Sequence, residues 1–394
     1  MINSRFSGRW SEKPLSDLAV ITMGQSPSSI FYNSSGEGLP LIQGNADIEY
    51  HQTTERVWTT QGNKRCDLGD LILTVRAPVG AIAVASKNAC IGRGVCGLKP
   101  FGNPSFLFHA LVHAEDRWQA LEQGSTFTAA NSEQVGQFRL FVPDDENEQR
   151  AIAEALSDVD GLLNALDALI AKKQAIKQAT MQQLLTGKTR LPGFSGAWKT
   201  KRLGEVASFF KGSGLSKVDL SLDGKRRCIH YGELFTTYGE CITEVLHGTD
   251  RGGTFFLSLG NDVLMPGSDV TPNGLATASC ISIPDVILGG DILVIRAPAD
   301  ILNGTFLAYV IKINHNQVMQ LVSGTTVYHL YGRDMANFTF VAPSTAEQNA
   351  IVRILSDMDS EIAALEQRRD KTLAIKQGMM QQLLTGRVRL VKAE

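Results

Sequence analysis

A stretch of 44 residues occurs twice in this chain. Residues 148–191 open with Glu148-Gln149 and close with AIKQATMQQLLTGKTRL; residues 347–390 open with Glu347-Gln348 and close with AIKQGMMQQLLTGRVRL. At a constant offset of 199, 24 of the 44 positions are identical. Self-similarity at that level implies duplicated structural units, and 394 residues suffice for two or three domains with cores of their own.

Both copies carry a helical apolar pattern. Ile152, Leu156, Val159, Leu163, Leu166 and Ile170 in the first, and Ile351, Leu355, Met358, Ile362 and Leu365 in the second, recur in alternating steps of four and three. That spacing is the seam of a coiled coil, so these positions are expected to pair the helices. The pattern weakens at Lys173 and Arg369, then resumes at Met181, Leu184, Met380 and Leu383. Gly187 and Gly386 stand where a helix C-cap is expected, and Lys188, Arg190, Arg387 and Arg389 bring positive charge to the negative helix end. From Glu148 to Leu185 a continuous helix forms a rod about 57 Å long at about 1.5 Å per residue. One such helix is commonly a scaffold or oligomerisation device, but two near-copies can pair antiparallel into a bar with pseudo-twofold symmetry.

The segments before the helices share landmarks while differing in content. Trp10, Leu15 and Leu18 match Trp198, Leu203 and Val206 at offset 188; Gly124, Thr126, Phe138 and Pro143 match Gly324, Thr326, Phe338 and Pro343 at offset 200. Short β-like runs such as Asp70 to Val75 and Asp291 to Ile295 alternate with Gly, Asn and Pro turns, and Phe106 to His113 and Thr305 to Lys312 read as matching short helices. The expected fold class is therefore α+β (mixed α/β). Globular domains at 1–147 and 192–346 alternate with long antiparallel coiled-coil helices at 148–191 and 347–394.

Composition is that of a soluble globular protein, with 43% hydrophobic and 20% charged residues. No apolar run approaches the roughly 18 to 20 residues of a bilayer span, and Met1 to Pro14 lacks the layout of a signal peptide, so a cytoplasmic chain without a membrane partner is expected. Six scattered cysteines (Cys66, Cys90, Cys96, Cys228, Cys241, Cys280) read as reduced thiols. Formal charge is about −3 over 1–147 and −1 over 192–346. A nucleic-acid reader with this balance needs locally clustered Lys and Arg, or a partner that neutralises phosphates.

Several fragments imitate catalytic or cofactor motifs. Gly92-Arg93-Gly94-Val95-Cys96-Gly97 fits GxGxxG, yet Leu98-Lys99-Pro100 follows instead of the helix that holds a pyrophosphate, which favours a strand boundary. Asn103-Pro104-Ser105-Phe106 resembles an amino-methyltransferase loop but lacks its second proline, and no βα unit for S-adenosylmethionine accompanies it. Cys90, Cys96, His109 and His113 nearly imitate a zinc finger; the cysteine spacing is too wide and the second half has no matching set, so structural roles are favoured. Gly187-Lys188-Thr189 resembles the end of a P-loop, but Gln182 occupies the required glycine position. No catalytic residues, metal or cofactor are therefore expected.

The order of variable domain, long helix, second variable domain and second long helix resembles the specificity subunits of type I restriction-modification systems. Local phrases are also similar: PLIQGNADI (40–48), GDLILTVRAPVG (69–80), GSTFTAANSEQVGQFRLFVP (124–143), GTTVYHLYGRDMANFTFVAP (324–343) and the AIKQ-to-LLTG helix ends. The resemblance covers essentially the whole chain. It implies a non-catalytic reader of double-stranded DNA, each domain recognising half of a bipartite target while the helices set the gap. It further implies two methyltransferase subunits and additional restriction subunits as partners, which would carry the chemistry. A coiled-coil protein-interaction scaffold, or the specificity chain of a restriction-methylation enzyme outside type I, are the alternative readings.

Base-edge readers are drawn from polar loop residues: Arg for guanine, Asn or Gln for adenine, Ser or Thr more loosely. In the first domain these are Gln25, Ser26, Gln43, Asn45, Arg76, Arg93, Ser125 and Thr126. In the second they are Lys211, Ser213, Lys217, Tyr231, Ser268, Thr271, Asn273, Thr325 and Thr326. Arg76, at a strand end, has no obvious twin, because Asn261-Asp262 matches Gly69-Asp70 but is followed by PGSDVTPNG; unlike half-sites are expected.

Overall fold

The computed structural model describes residues 9–118 and 129–390. The chain divides into two compact units, Met1–Ala168 with Gln367–Glu394, and Leu169–Glu366. Each unit thus holds one globular domain, the start of the helix that follows it and the end of the other long helix.

In the first unit, Trp10–Pro14 pairs antiparallel with Arg139–Pro143, the strand that leads into the long helix. A six-stranded sheet runs in the order Ala19–Met23, Val95–Pro100, Leu71–Thr74, Ile82–Val84, Gln52–Thr53, Ile48–Glu49. Beside it lies a sheet of Tyr32–Asn33, Trp58–Thr59, Leu39–Ile42, Ala89–Ile91 and Arg65–Cys66. The strands are short and many are buried on both faces, so they read as apolar runs such as Leu71-Ile72-Leu73 instead of clean alternation.

The second unit repeats this wiring. Ser208–Lys211, Ile292–Arg296, Asp262–Pro266, Ser279–Ile281 and Cys241–Ile242 follow one another as the first five strands of the six-stranded sheet do. The one parallel contact is kept: Val84 pairs with Gln52, and Cys280 with Cys241. The smaller sheets correspond likewise, through the parallel pairs Leu39–Ile42 with Ala89–Ile91 and Arg226–Ile229 with Ile287–Leu288. Gly69 and Asn261 both take positive φ at the same turn, a conformation that Gly and Asn tolerate best.

Helices Pro104–His113 and Gly304–Ile313 are also counterparts. Asn103 and Asn303 each accept the backbone N–H three residues on, so the Asn-Pro-Ser-Phe string is a helix cap. The GxGxxG string is a tight turn followed by strand Val95–Pro100. Cys90 and Cys96 lie in different sheets, and among the described residues no group of His, Cys, Asp or Glu is placed to hold a metal ion.

The long helices run Glu146–Leu184 and Thr345–Leu383. In the first unit Glu148 pairs with Arg389, Asp160 with Lys376 and Asp167 with Arg369; one number rises as the other falls, so the helix halves are antiparallel. The second unit shows the mates, Glu347 with Arg190, Asp359 with Lys177 and Glu361 with Lys173. Ile152 and Leu156 share a core with Phe106, Leu107, Met380 and Leu383; Ile351 and Leu355 share one with Phe306, Leu307, Met181 and Leu184. The first turns of each helix therefore pack on the globular domain as well as on the other helix. Farther along, Leu166 and Ile362 are buried, while Val159, Leu163, Met358 and Leu365 are half-buried. No helix among the described residues is long and apolar enough to cross a membrane.

Candidate nucleic-acid interface

In the first domain five of the expected readers gather around the loop Gly92-Arg93-Gly94. Gly92 donates to Ile42 O at 2.8 Å, Gln25 N–H to Ile91 O at 2.9 Å, and Arg93 N–H to Ser26 Oγ at 3.1 Å. The glycines are needed for closeness: a Cβ on Gly94 would lie 2.0 Å from Gln43 O, and one on Gly24 would lie 2.1 Å from Gly92 O. Val75 N–H reaches Gly94 O at 2.9 Å, which brings Arg76 beside the same loop. Asn45 is exposed two residues beyond Gln43, in a turn whose Asp47 accepts the Gln43 N–H at 2.7 Å. Ser125 and Thr126 lie outside the described residues.

The second domain builds the same loop from different residues. Ser213 N–H donates to Leu288 O, Gly289 N–H to Ile229 O and Gly267 N–H to Asp291 O, reproducing the bonds of Gln25, Gly92 and Val75. A Cβ on Gly212 would meet Gly289 O at 2.1 Å, as at Gly24. Gln25 therefore corresponds to Ser213, Gln43 to His230, Arg93 to Gly290 and Arg76 to Ser268. Glu233 takes the part of Asp47, accepting His230 N–H at 2.8 Å. No local pattern marks His230, but sliding the halves by 187 residues, one short of the Trp10/Trp198 offset, aligns it with Gln43.

Around this second loop, Lys211 pairs with Asp291 at 3.0 Å and the Tyr231 ring lies 4.5 Å from that of His230. Burial lowers the His230 pKa from its usual value. Ser268 pairs with His329, at the foot of the turn that exposes Thr325 and Thr326. Thr271 donates to Asp269 at 2.7 Å and Asn273 is exposed in the next turn. Lys217 belongs to a separate turn, where Asp219 is held down to a pKa of about 2, chiefly by its bonds from Ser216 with help from Arg251. Lys225, Arg226 and Arg227 form an exposed basic run nearby in sequence; Arg226 lies 5.3 Å over the Phe255 ring and donates to Gly253 O at 3.3 Å, and Arg227 donates to Val245 O at 2.5 Å.

A family model described as the type I restriction modification DNA specificity domain matches residues 8–178 and again 196–374. The chain belongs to that family. Residues of this family member are also similar to two chains from Methanocaldococcus jannaschii. One, assigned as the specificity subunit of the type I restriction enzyme MjaX, is 34% identical over 174 residues, 43% of this chain and 41% of that protein. The other, the type I restriction enzyme MjaIX specificity subunit, is 28% identical over 167 residues, 39% of this chain and 38% of that protein. These alignments span about two fifths of either relative. A solved S subunit of a type I restriction-modification system from M. genitalium superposes with a TM-score of 0.65 at 16% identity, over 97% of both chains. A chain from a structure of type I R-M complex assembly gives 0.58 at 17%, over 97% of this chain and 99% of that one. Both likenesses concern the fold.

Proposed function

We propose that this chain is the DNA-reading subunit of a type I restriction-modification complex, with residues 1–147 and 192–346 as target-recognition domains that each contact half of a bipartite duplex target. The observation that carries this reading is one loop framework built twice with unlike residues, Gln25, Gln43, Arg76 and Arg93 against Ser213, His230, Ser268 and Gly290, of which Gln25, Arg76, Arg93 and Ser213 are exposed and Gln43, His230 and Ser268 half-buried. A duplicated reader that differs at its surface is suited to two different half-sites. The paired helices set the gap between them, and the faces left exposed receive two methyltransferase subunits, to which restriction subunits join. Methyl transfer, translocation and cleavage belong to those partners.

Modification mapping tests this. The chain is co-expressed with its candidate methyltransferase in a methylation-free host, and N6-methyladenine is located across the genome. A bipartite motif with a constant unspecified gap, lost when the chain is omitted, is the expected result. Methylation that does not depend on the chain overturns the proposal in favour of a protein-binding scaffold.

A further inference from the structure

Most basic side chains of the first domain are occupied. Lys13, Lys87 and Lys99 pair with Asp144, Glu55 and Asp67. Arg56 bonds Ala46 O and lies 3.5 Å from Asp47, while Arg65 and Arg117 donate to backbone carbonyls. Arg76 and Arg93 differ. Both are exposed, and among the described residues neither guanidinium has a hydrogen-bond acceptor or ion-pair partner; the Lys64 ammonium, also exposed, shares this property.

Their backbones, in contrast, are held tightly. Arg93 is flanked by glycines packed against Gln43, and its own N–H is bonded to Ser26. Arg76 bridges Ala129 at the end of a buried strand. The Val75 to Gly94 bond sets the two segments side by side, at a separation of about 5 Å. Stacked bases step by about 3.4 Å, so two long side chains from these positions reach neighbouring base pairs. The surroundings are amides and hydroxyls (Gln25, Ser26, Gln43, Asn45), which suit base edges better than a track of phosphates.

We infer that Arg76 and Arg93 are the specificity-determining pair of the first domain, each donating its fork to O6 and N7 of a guanine in the half-site that this domain reads. Ser268 and Gly290, at the corresponding places, give the second domain no such donors, so its half-site is read by other means. The inference rests on the DNA-reading function proposed above.

The test uses the full chain with its methyltransferase. Arg93→Ala and Arg76→Ala should each make one guanine position of one half-site degenerate in the methylation map, with the other half-site unchanged. Binding of the purified complex to the original site should weaken about tenfold or more, with little change on a duplex altered at that base pair. Equal weakening on every sequence, with the salt slope smaller by about one, would assign the arginines to phosphates and overturn the inference. An unchanged motif and unchanged affinity overturn it too. Absence of any chain-dependent motif with the unsubstituted chain is a different failure, that of the underlying function.

Discussion

Arg190 lies at the end of the first long helix segment and grips Glu347 at the beginning of the second, through two bonds of 2.7 Å. Arg389 grips Glu148 in the same two-pronged way. Both carboxylates are almost wholly buried, at 2% and 0% exposure, so each depends on its arginine for charge compensation. Replacing Glu347 by Ala would leave Arg190 unpaired, and Arg190→Ala would leave a buried carboxylate with no counter-charge. The second change is expected to be the worse of the two, lowering the melting midpoint by about 5 °C or more. Equal, negligible shifts in thermal melts of the two variants would show that the pair contributes little.

The turn that delivers each arginine depends on a glycine. Gly187 and Gly386 have φ of 70° and 69°, and a Cβ on either would come within 3.3 Å and 3.1 Å of Trp198 and Trp10. Gly187→Ala should cost about 1 kcal/mol from the left-handed backbone alone, with further loss if Trp198 must shift. Urea unfolding measures this; stability equal to that of the unsubstituted chain would exclude the cap.

His109 is buried near Asp160, Lys376 and His51, with Nε2 3.3 Å from Ser157 Oγ. Burial pushes its pKa down to about 4, with Lys376 and His51 adding to the effect and Asp160 opposing it. In the unfolded chain the ring titrates near about 6.5, so below that pH the unfolded state binds the extra proton. Stability from this residue is complete above about pH 6.5 and is lost as pH falls towards 4. Tyr309, the counterpart, instead donates to Asp359 at 2.5 Å, and burial raises its pKa. His109→Gln should shrink the drop in melting midpoint between about pH 7.5 and about pH 5. An undiminished drop would assign the acid sensitivity elsewhere.

Lys225, Arg226 and Arg227 are suited to phosphates. Neutralising any one should weaken DNA binding by the methyltransferase complex to similar extents on all sequences, and lower the salt slope by about one. A changed methylation motif would instead make that residue a base reader.

If the helices set the gap, removing about seven residues, two turns, from both in register should shorten the unspecified spacer and leave each half-site intact. Motif mapping reads this directly, and an unaltered spacer would discard the ruler.

Local signals were legible without a structure. The helical spacing from Ile152 to Ile170, the glycines that end each rod and the short helices near Phe106 and Thr305 depend on residues a few positions apart, and periodicity and capping are properties of such neighbours, although the Asn103 and Asn303 caps emerged only in the structure. Partnership over long separations was not. Arg190 and Arg389 read as complements to their own helix ends, yet each reaches a glutamate 157 or 241 residues away. Gln43 and His230 occupy one position in a shared framework although their chemistry and neighbouring sequence differ. The duplication, the long helices and the two short helices followed from the sequence by itself. Which carboxylate each arginine meets, and which loop residues stand together on each domain, was decided only by tertiary structure, because strand pairing and burial bring together groups that no local pattern connects.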